Sequence, residues 1–219
     1  MREQRREIDK VQKQLGDSIL ILRGAEVEIR ADGQLDYADE VLASLDIVVA
    51  SLHTTLRQPR EKITARLLKA IRNPQVDIIG HPTGRLIPDR EGADLDMDAV
   101  LAAAKDSGVA LEINAHPMRL DLDDIYSRRA IELGIPLAIN TDAHHPSDFG
   151  LAEYGVATAR RGWVAASHVI NVWDSDRLRG WLQDRAKGAS LSTVPARSTK
   201  KAATQKKPAA KKRVSKSKR

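Results

Sequence analysis

The feature that most constrains this sequence is a recurring unit. A short apolar run ends in polar residues and is followed by an amphipathic segment, at intervals of roughly 25–30 residues. The runs are Ser18 to Ile29 (SILILRGAEVEI), Asp46 to Ser51 (DIVVAS), Val76 to Gly80 (VDIIG), Val109 to Asn114 (VALEIN) and Ile135 to Asn140 (IPLAIN). Nearly continuous apolar stretches of this length suit strands buried on both faces. Helical spacing is read in Met1 to Leu15, Tyr37 to Leu45, Pro59 to Ile71, Asp94 to Ser107 and Asp121 to Leu133, then near Leu151 to Arg161 and Ser175 to Ala186. In the third of these Ile63, Leu67 and Ile71 recur four apart, and Gly108 and Gly134 stand where helices end. Five strands alternating with helices predict a parallel α/β architecture, either barrel-like or doubly wound.

Composition narrows the functions such a fold can serve. The chain has no cysteine, which excludes a disulfide scaffold, a thiolate zinc site and a cysteine nucleophile. The apolar runs are far too short to span a bilayer, and no signal peptide opens the chain, so no membrane partner and a cytoplasmic location are expected. Aromatic residues are only 3%, which leaves few platforms for stacking bases. The formal charge of +6 conceals two pieces. Residues 1–186 hold 24 basic against 30 acidic side chains, whereas residues 187–219 hold 12 basic side chains and no acid. The boundary is placed at residue 187: a folded acidic body over 1–187, and a Lys/Arg-rich tail over 188–219 that is expected to be disordered and to bind DNA or another polyanion by counterion release.

The chemistry is concentrated where the strands end. The motifs are Gly24-Ala25-Glu26-Val27-Glu28, Ala50-Ser51-Leu52-His53, Gly80-His81-Pro82-Thr83-Gly84-Arg85, Glu112-Ile113-Asn114-Ala115-His116-Pro117 and Asn140-Thr141-Asp142-Ala143-His144-His145. Parallel α/β folds bind ligands outside the carboxyl ends of their strands. Imidazoles and carboxylates collected on one rim point to a cation site. Glu26 and Glu28 share a strand face, so spacing alone does not choose between them. Arg85 and Arg119 follow strand ends and are candidates for a bidentate phosphate clamp, against the plainer reading of surface salt bridges. There is no nucleophile elbow, Walker loop or dinucleotide fingerprint, and Ser51 and His53 do not suggest a triad.

The stretches GAEVEI, VVASLH, VDIIGHPTGR, LEINAHPMRLDL, INTDAHHPSDF and YGVATARRGW, spread from about Arg5 to about Leu182, resemble the PHP (polymerase and histidinol phosphatase) superfamily. The likeness is greatest to the PHP domain at the C-terminal end of bacterial family X DNA polymerases. It implies an irregular β/α barrel holding up to three divalent ions, commonly Zn2+ or Mn2+. By position it implies Glu26, His53, His81, Asp142 and His144 as metal ligands, with Glu26 and Asp142 as the carboxylates of the catalytic centre. Glu28 is acidic in many members without being the expected ligand, and His116 stands where the polymerase relatives usually carry Asn.

The sequence also departs from that pattern. The family's opening His-x-His motif and its following Thr-Asp-His motif are absent, which implies an incomplete barrel of about five strands lacking two βα units and about four of nine ligands. The set Glu26, His53 and His81 is intact and would hold one ion. The functions implied are a metal-dependent phosphoesterase related to a 3'-5' exonuclease or 3'-phosphatase of DNA repair, an inactive or accessory domain tethered to DNA by its basic tail, or a small-molecule phosphomonoesterase of the histidinol-phosphatase type. A separate polymerase or an N-terminal PHP segment is an expected partner. So is a second copy of the chain, because the missing units should leave one flank of the sheet uncovered.

Overall fold

A computed structural model describes residues 2–187; the expected tail over 188–219 lies outside the described residues. The elements run α1 (Arg2–Leu15), β1 (Gly24–Glu28), α2 (Asp39–Leu42), β2 (Ile47–Ser51), α3 (Arg60–Ile71), β3 (Ile78–Gly80), α4 (Met97–Ser107), β4 (Ala110–Asn114), α5 (Asp124–Glu132), β5 (Leu137–Asn140), α6 (Ala152–Arg161) and α7 (Ser175–Ala186). The five strands form one parallel sheet in the order β1-β2-β3-β4-β5. That sequential order is the winding of a β/α barrel rather than of a doubly wound sheet, and here the sheet is open. No helix among the described residues is long and apolar enough to cross a membrane.

The helix ends follow from local chemistry. Asp96, Asp123 and Asp174 accept hydrogen bonds from the backbone N–H groups of Ala99, Tyr126 and Arg177, capping α4, α5 and α7. Gly108 closes α4 at φ 72°, a left-handed conformation that a side chain would resist. The first strand is shorter than its apolar sequence suggests. Ser18 to Arg23 forms no ladder; the Ile21 N–H is taken by Gln12 Oε1 and the Arg23 N–H by Asp46 Oδ2, each at 2.8 Å.

The two faces of the sheet divide by parity. Val27, Val48, Ala50, Ile79, Leu111, Ile113 and Leu137 pack with Ile63, Leu67, Leu101 and Ala130 of the surrounding helices into the main core. The alternate positions Ile47, Val49, Ile78, Ala110 and Ala138 line the inner face, where Trp181, Leu178 and Leu182 of α7 cover them. Trp181 Nε1 donates to Gly108 O at 3.1 Å, and Arg185 donates to the carbonyls of Ser107 and Val76. Further along the same parity come Glu26, Ser51, Gly80, Glu112, Asn114 and Asn140. The inner face is therefore apolar and plugged at the amino ends of the strands, and polar at their carboxyl ends.

The two sheet edges differ. On β5, Asn171 stands in for a strand: its Oδ1 accepts from Ile139 N at 2.8 Å and its Nδ2 donates to Ile139 O at 2.9 Å. On β1, the ladder uses Ala25, Val27 and Ile29, so the backbone groups of Gly24, Glu26 and Glu28 face outward. Asp36 closes the Glu28 end of that edge, while Gly24 and Glu26 find no backbone partner among the described residues. The uncovered flank expected from the sequence is this edge.

Asp77, at the foot of β3, accepts from Val48 N at 2.8 Å. Burial pushes its carboxyl up to about 7, partly offset by that hydrogen bond and by Arg185. A carboxyl raised in the folded state binds more protons folded than unfolded between about pH 4 and 7, so its ionisation erodes stability as pH rises through that window. Asp77→Asn keeps an acceptor for Val48 and removes the charge. Its melting temperature is expected to exceed the wild type at pH 8.5, by at most roughly 4 kcal/mol in stability, and the gain should shrink towards pH 5. Equal pH profiles for the two proteins in calorimetry would refute this account.

Candidate metal centre

The inner-face parity brings Glu26 of β1 and the residues just beyond β2 and β3 to one point. His53 Nε2 lies 3.3 Å and His81 Nε2 3.0 Å from the same oxygen, Glu26 Oε1. These donor atoms lie within 4.8 Å of one another. The two rings meet edge to face, 5.0 Å between centroids. The close imidazoles, His53 first and His81 second, hold the Glu26 carboxyl far below the usual carboxylate range. The same pairing with Glu26, followed by Glu28, raises His53 against the opposing effect of burial.

The residues fit a divalent cation. For metal–ligand bonds of about 2.0–2.1 Å, tetrahedral donors sit about 3.3 Å apart, close to the spacings found here. His81 is 1% exposed, and neither of its ring nitrogens makes a well-aligned hydrogen bond despite the short approach to Glu26. A buried imidazole without a partner is costly unless something else takes its lone pair. The other nitrogen of His53 is already fixed: Nδ1 lies 2.8 Å from Glu28 Oε2. That contact places the proton on Nδ1 and turns Nε2 towards Glu26, the usual carboxylate support for a ligating histidine. Glu28 is thus a supporting group. The backbone N–H groups of His53 and Thr54 hold it, with Thr54 Oγ1 at 2.7 Å and Arg66 Nη2 at 3.1 Å from Oε1.

Two buried carboxylates shape the loop that carries His81. Glu112 Oε2 accepts from His81 N at 2.6 Å and from Asn114 Nδ2 at 3.2 Å, and Oε1 accepts from Asn140 Nδ2 at 2.8 Å. Asp121 Oδ2 accepts from Thr83 N, Thr83 Oγ1 and Gly84 N at 2.9–3.0 Å. Burial raises both carboxyls. Gly80 is required because a Cβ there would stand 2.4 Å from Ser51 Oγ and 2.8 Å from Val49 Cγ1. Filling that space would cost about 1–3 kcal/mol and displace the site. Thr55, His81, Leu120 and Asp142 all have positive φ without being glycine. Such backbone persists only where its surroundings enforce it, and all four follow strand ends.

Asp142 and His144 are placed differently. Asp142 Oδ2 is engaged by Asn114 Nδ2 at 3.2 Å and by Arg119 Nε at 3.3 Å. The His144 side chain is 86% exposed, and its Nδ1 turns back to Asp142 O at 2.8 Å. Among the described residues the three-donor cluster contains neither. Arg85 gives Nε to Arg119 O at 2.6 Å and Nη2 to Leu120 O, so these two of its three nitrogens serve the loop. Arg119 keeps a buried Nη1 without a partner. His116 stays beside this loop, with Nδ1 accepting from Met118 N at 3.3 Å.

No family model matches the chain. Curated relatives do. The chain is 44% identical over 183 residues to the DNA polymerase/3'-5' exonuclease PolX of Bacillus subtilis, covering 84% of this chain and 32% of that protein. It is 32% identical over 179 residues to a probable phosphatase of Thermoanaerobacter sp., covering 77% of this chain and 70% of the relative. A probable phosphatase of Shewanella sp. is 36% identical over 137 residues, covering 58% of this chain and 52% of that protein. The chain thus spans about a third of the polymerase/exonuclease it matches.

Because Glu26 contributes the oxygen that both imidazoles face, Glu26→Gln is expected to lose most bound metal after dialysis against Zn2+ or Mn2+. His144→Ala is expected to retain nearly all of it. Metal content measured by emission spectroscopy on both variants checks this; a greater loss in His144→Ala would place the ion elsewhere.

Proposed function

Since the chain belongs to the PHP superfamily, we propose that it is a metal-dependent phosphoesterase module of the kind linked to DNA repair, acting at a 3' end. The observation that carries this reading is the convergence of His53 Nε2, His81 Nε2 and Glu26 Oε1 at the carboxyl ends of the strands. A divalent cation bound there, Zn2+ or Mn2+, would lower the pKa of a coordinated water and so supply hydroxide near neutral pH. Glu26 contributes the negative charge that retains the cation, Glu28 orients His53, and Glu112 fixes the backbone of His81. Asp142 and His144 are proposed ligands of further ions. Arg119 is proposed to offer its spare guanidinium nitrogen to a phosphate oxygen.

A second reading has its own support. The guanidinium of Arg119 occupies Asp142, and His144 is turned away from the triad. Such a centre favours one ion over a clamp of several, and hydrolysis through paired ions needs more than one. We therefore propose weak activity for this polypeptide by itself, in a cytoplasmic setting, with full activity when a segment carrying the family's His-x-His and Thr-Asp-His motifs is joined to it. Manganese-dependent release of phosphate or nucleotide from a DNA 3' end, compared between the 219-residue chain and the extended one, tests this. High activity in the short chain would overturn the incomplete centre; inactivity of both despite bound metal would overturn the phosphoesterase reading.

The basic residues 188–219 are proposed to bind DNA without reading sequence. Deleting them is expected to remove most DNA affinity and to flatten its salt dependence in an anisotropy titration. Unchanged affinity would assign DNA binding to the body.

A further inference from the structure

Beside the triad lies a cavity of about 410 Å3 lined by His53, Thr55, Leu56, Arg57, Gln58 and Arg90. Its charge is unlike that of its neighbours. The cavity beside α2 sets Arg30 and Lys69 against Asp36 and Asp39, and the cavity under α1 sets Arg5, Arg23 and Arg179 against Asp9 and Asp46, so both carry carboxylates among their bases. In the cavity next to His53 the charged side chains are guanidiniums and no carboxylate lines the wall. This stands out in a body with more acids than bases.

The two arginines have donors to spare. The Arg57 guanidinium makes no hydrogen bond or ion pair among the described residues. Arg90 gives Nε and Nη2 to a single acceptor, Gly84 O, at 3.1 and 2.7 Å, which fixes its plane and leaves Nη1 unused. The wall between them is held in place from below. Arg66, 3% exposed, donates to Ile29 O and, through Nη1, to Thr54 O at 2.9 Å and Thr55 O at 3.5 Å. Those contacts keep Thr55 at φ 54°, a conformation a β-branched residue adopts only under constraint. The same Arg66 holds Glu28, which orients His53. One buried side chain therefore sets both the metal-facing imidazole and the floor of the basic cavity.

We propose that this cavity is an anion subsite for the phosphodiester next to the one under attack, so that the substrate is a nucleic-acid strand end rather than a small phosphomonoester. The inference rests on the phosphoesterase reading above and deepens it. A phosphate in the cavity would receive Arg57 through two parallel N–H donors and Arg90 through Nη1, the fork geometry that suits tetrahedral oxyanions. A monoester offers a single phosphate and leaves the cavity unused, whereas an oligonucleotide offers a second one along the strand.

The test compares thymidine 3'-phosphate with the 3'-phosphorylated dinucleotide dTpdTp on the full chain. Binding is followed by titration calorimetry, with the Nε resonance of Arg57 as the site-specific reporter. The wild type is expected to bind the dinucleotide about tenfold more tightly, as for one or two hydrogen bonds to a charged group. Arg57→Ala should erase that preference and leave the mononucleotide within twofold; Arg57→Lys should restore part of it. Any contribution from residues 188–219 is common to all variants. Arg57 is exposed, and metal content and melting temperature of the variants should match the wild type. An unchanged dinucleotide preference in Arg57→Ala overturns the subsite, and so does an equal loss for both ligands. A preserved preference for the dinucleotide in wild type, lost in the variant, alongside absent hydrolysis in the extended chain, overturns the phosphoesterase reading alone.

Discussion

The carboxylate of Glu112 is the constraint on which the centre depends. It is 4% exposed, and an isolated charge or acid at that depth would be strongly unfavourable. Its satisfaction requires donors from three places at once: the backbone of His81 after β3, Asn114 at the end of β4 and Asn140 at the end of β5. Three strands can meet that demand only in one register. The same requirement that makes the carboxylate tolerable thus draws the strand ends together and points the His81 backbone inward. Asn114 carries the connection further by donating to Asp142.

A second buried group performs the equivalent task on the other side. Arg66 leaves the helical face of α3 to reach carbonyls at the ends of β1 and β2 and the carboxylate of Glu28. Burial pulls its pKa down from the ordinary arginine value, but a guanidinium so high on the scale stays charged. Packing of α3 against the sheet therefore reaches the metal-facing histidine through three side chains, Arg66, Glu28 and His53. Displacing α3 would turn the His53 ring as well as opening the core.

How much of this was legible in the sequence follows from how local each feature is. The strand–helix alternation and the identity of the strand-end residues depend on spacing within a few residues. β2, β4, β5 and α7 accordingly fall within a residue or two of where the pattern places them. Ser18 to Arg23 was apolar enough to read as strand, yet its donors go to Gln12 and Asp46, side chains that periodicity does not see. His53 and His81 were marked by their common depth after buried strands, whereas Glu26 was separated from Glu28 only by the family resemblance. The supporting roles of Glu28, Glu112, Asp121 and Arg66 were not marked, because each acts on a residue 25 to 38 positions away. Arg85 shows the converse limit: the strand-end spacing does not reveal that the carbonyls of Arg119 and Leu120 take its Nε and Nη2.

The unequal edges of the sheet have a consequence for how copies of this chain can add together. A sheet with two open edges can stack head to tail without limit, which is the geometry of fibres. Among the described residues the Leu137–Val169 bridge and the amide of Asn171 seal one side, and only the outward groups of Gly24 and Glu26 remain on the other. Addition through that side uses up the free edge of both partners and leaves two sealed ones. The Asn171 side chain thus acts as a chain terminator: pairing along the sheet closes at two copies around a twofold axis, and filament growth has no end to extend.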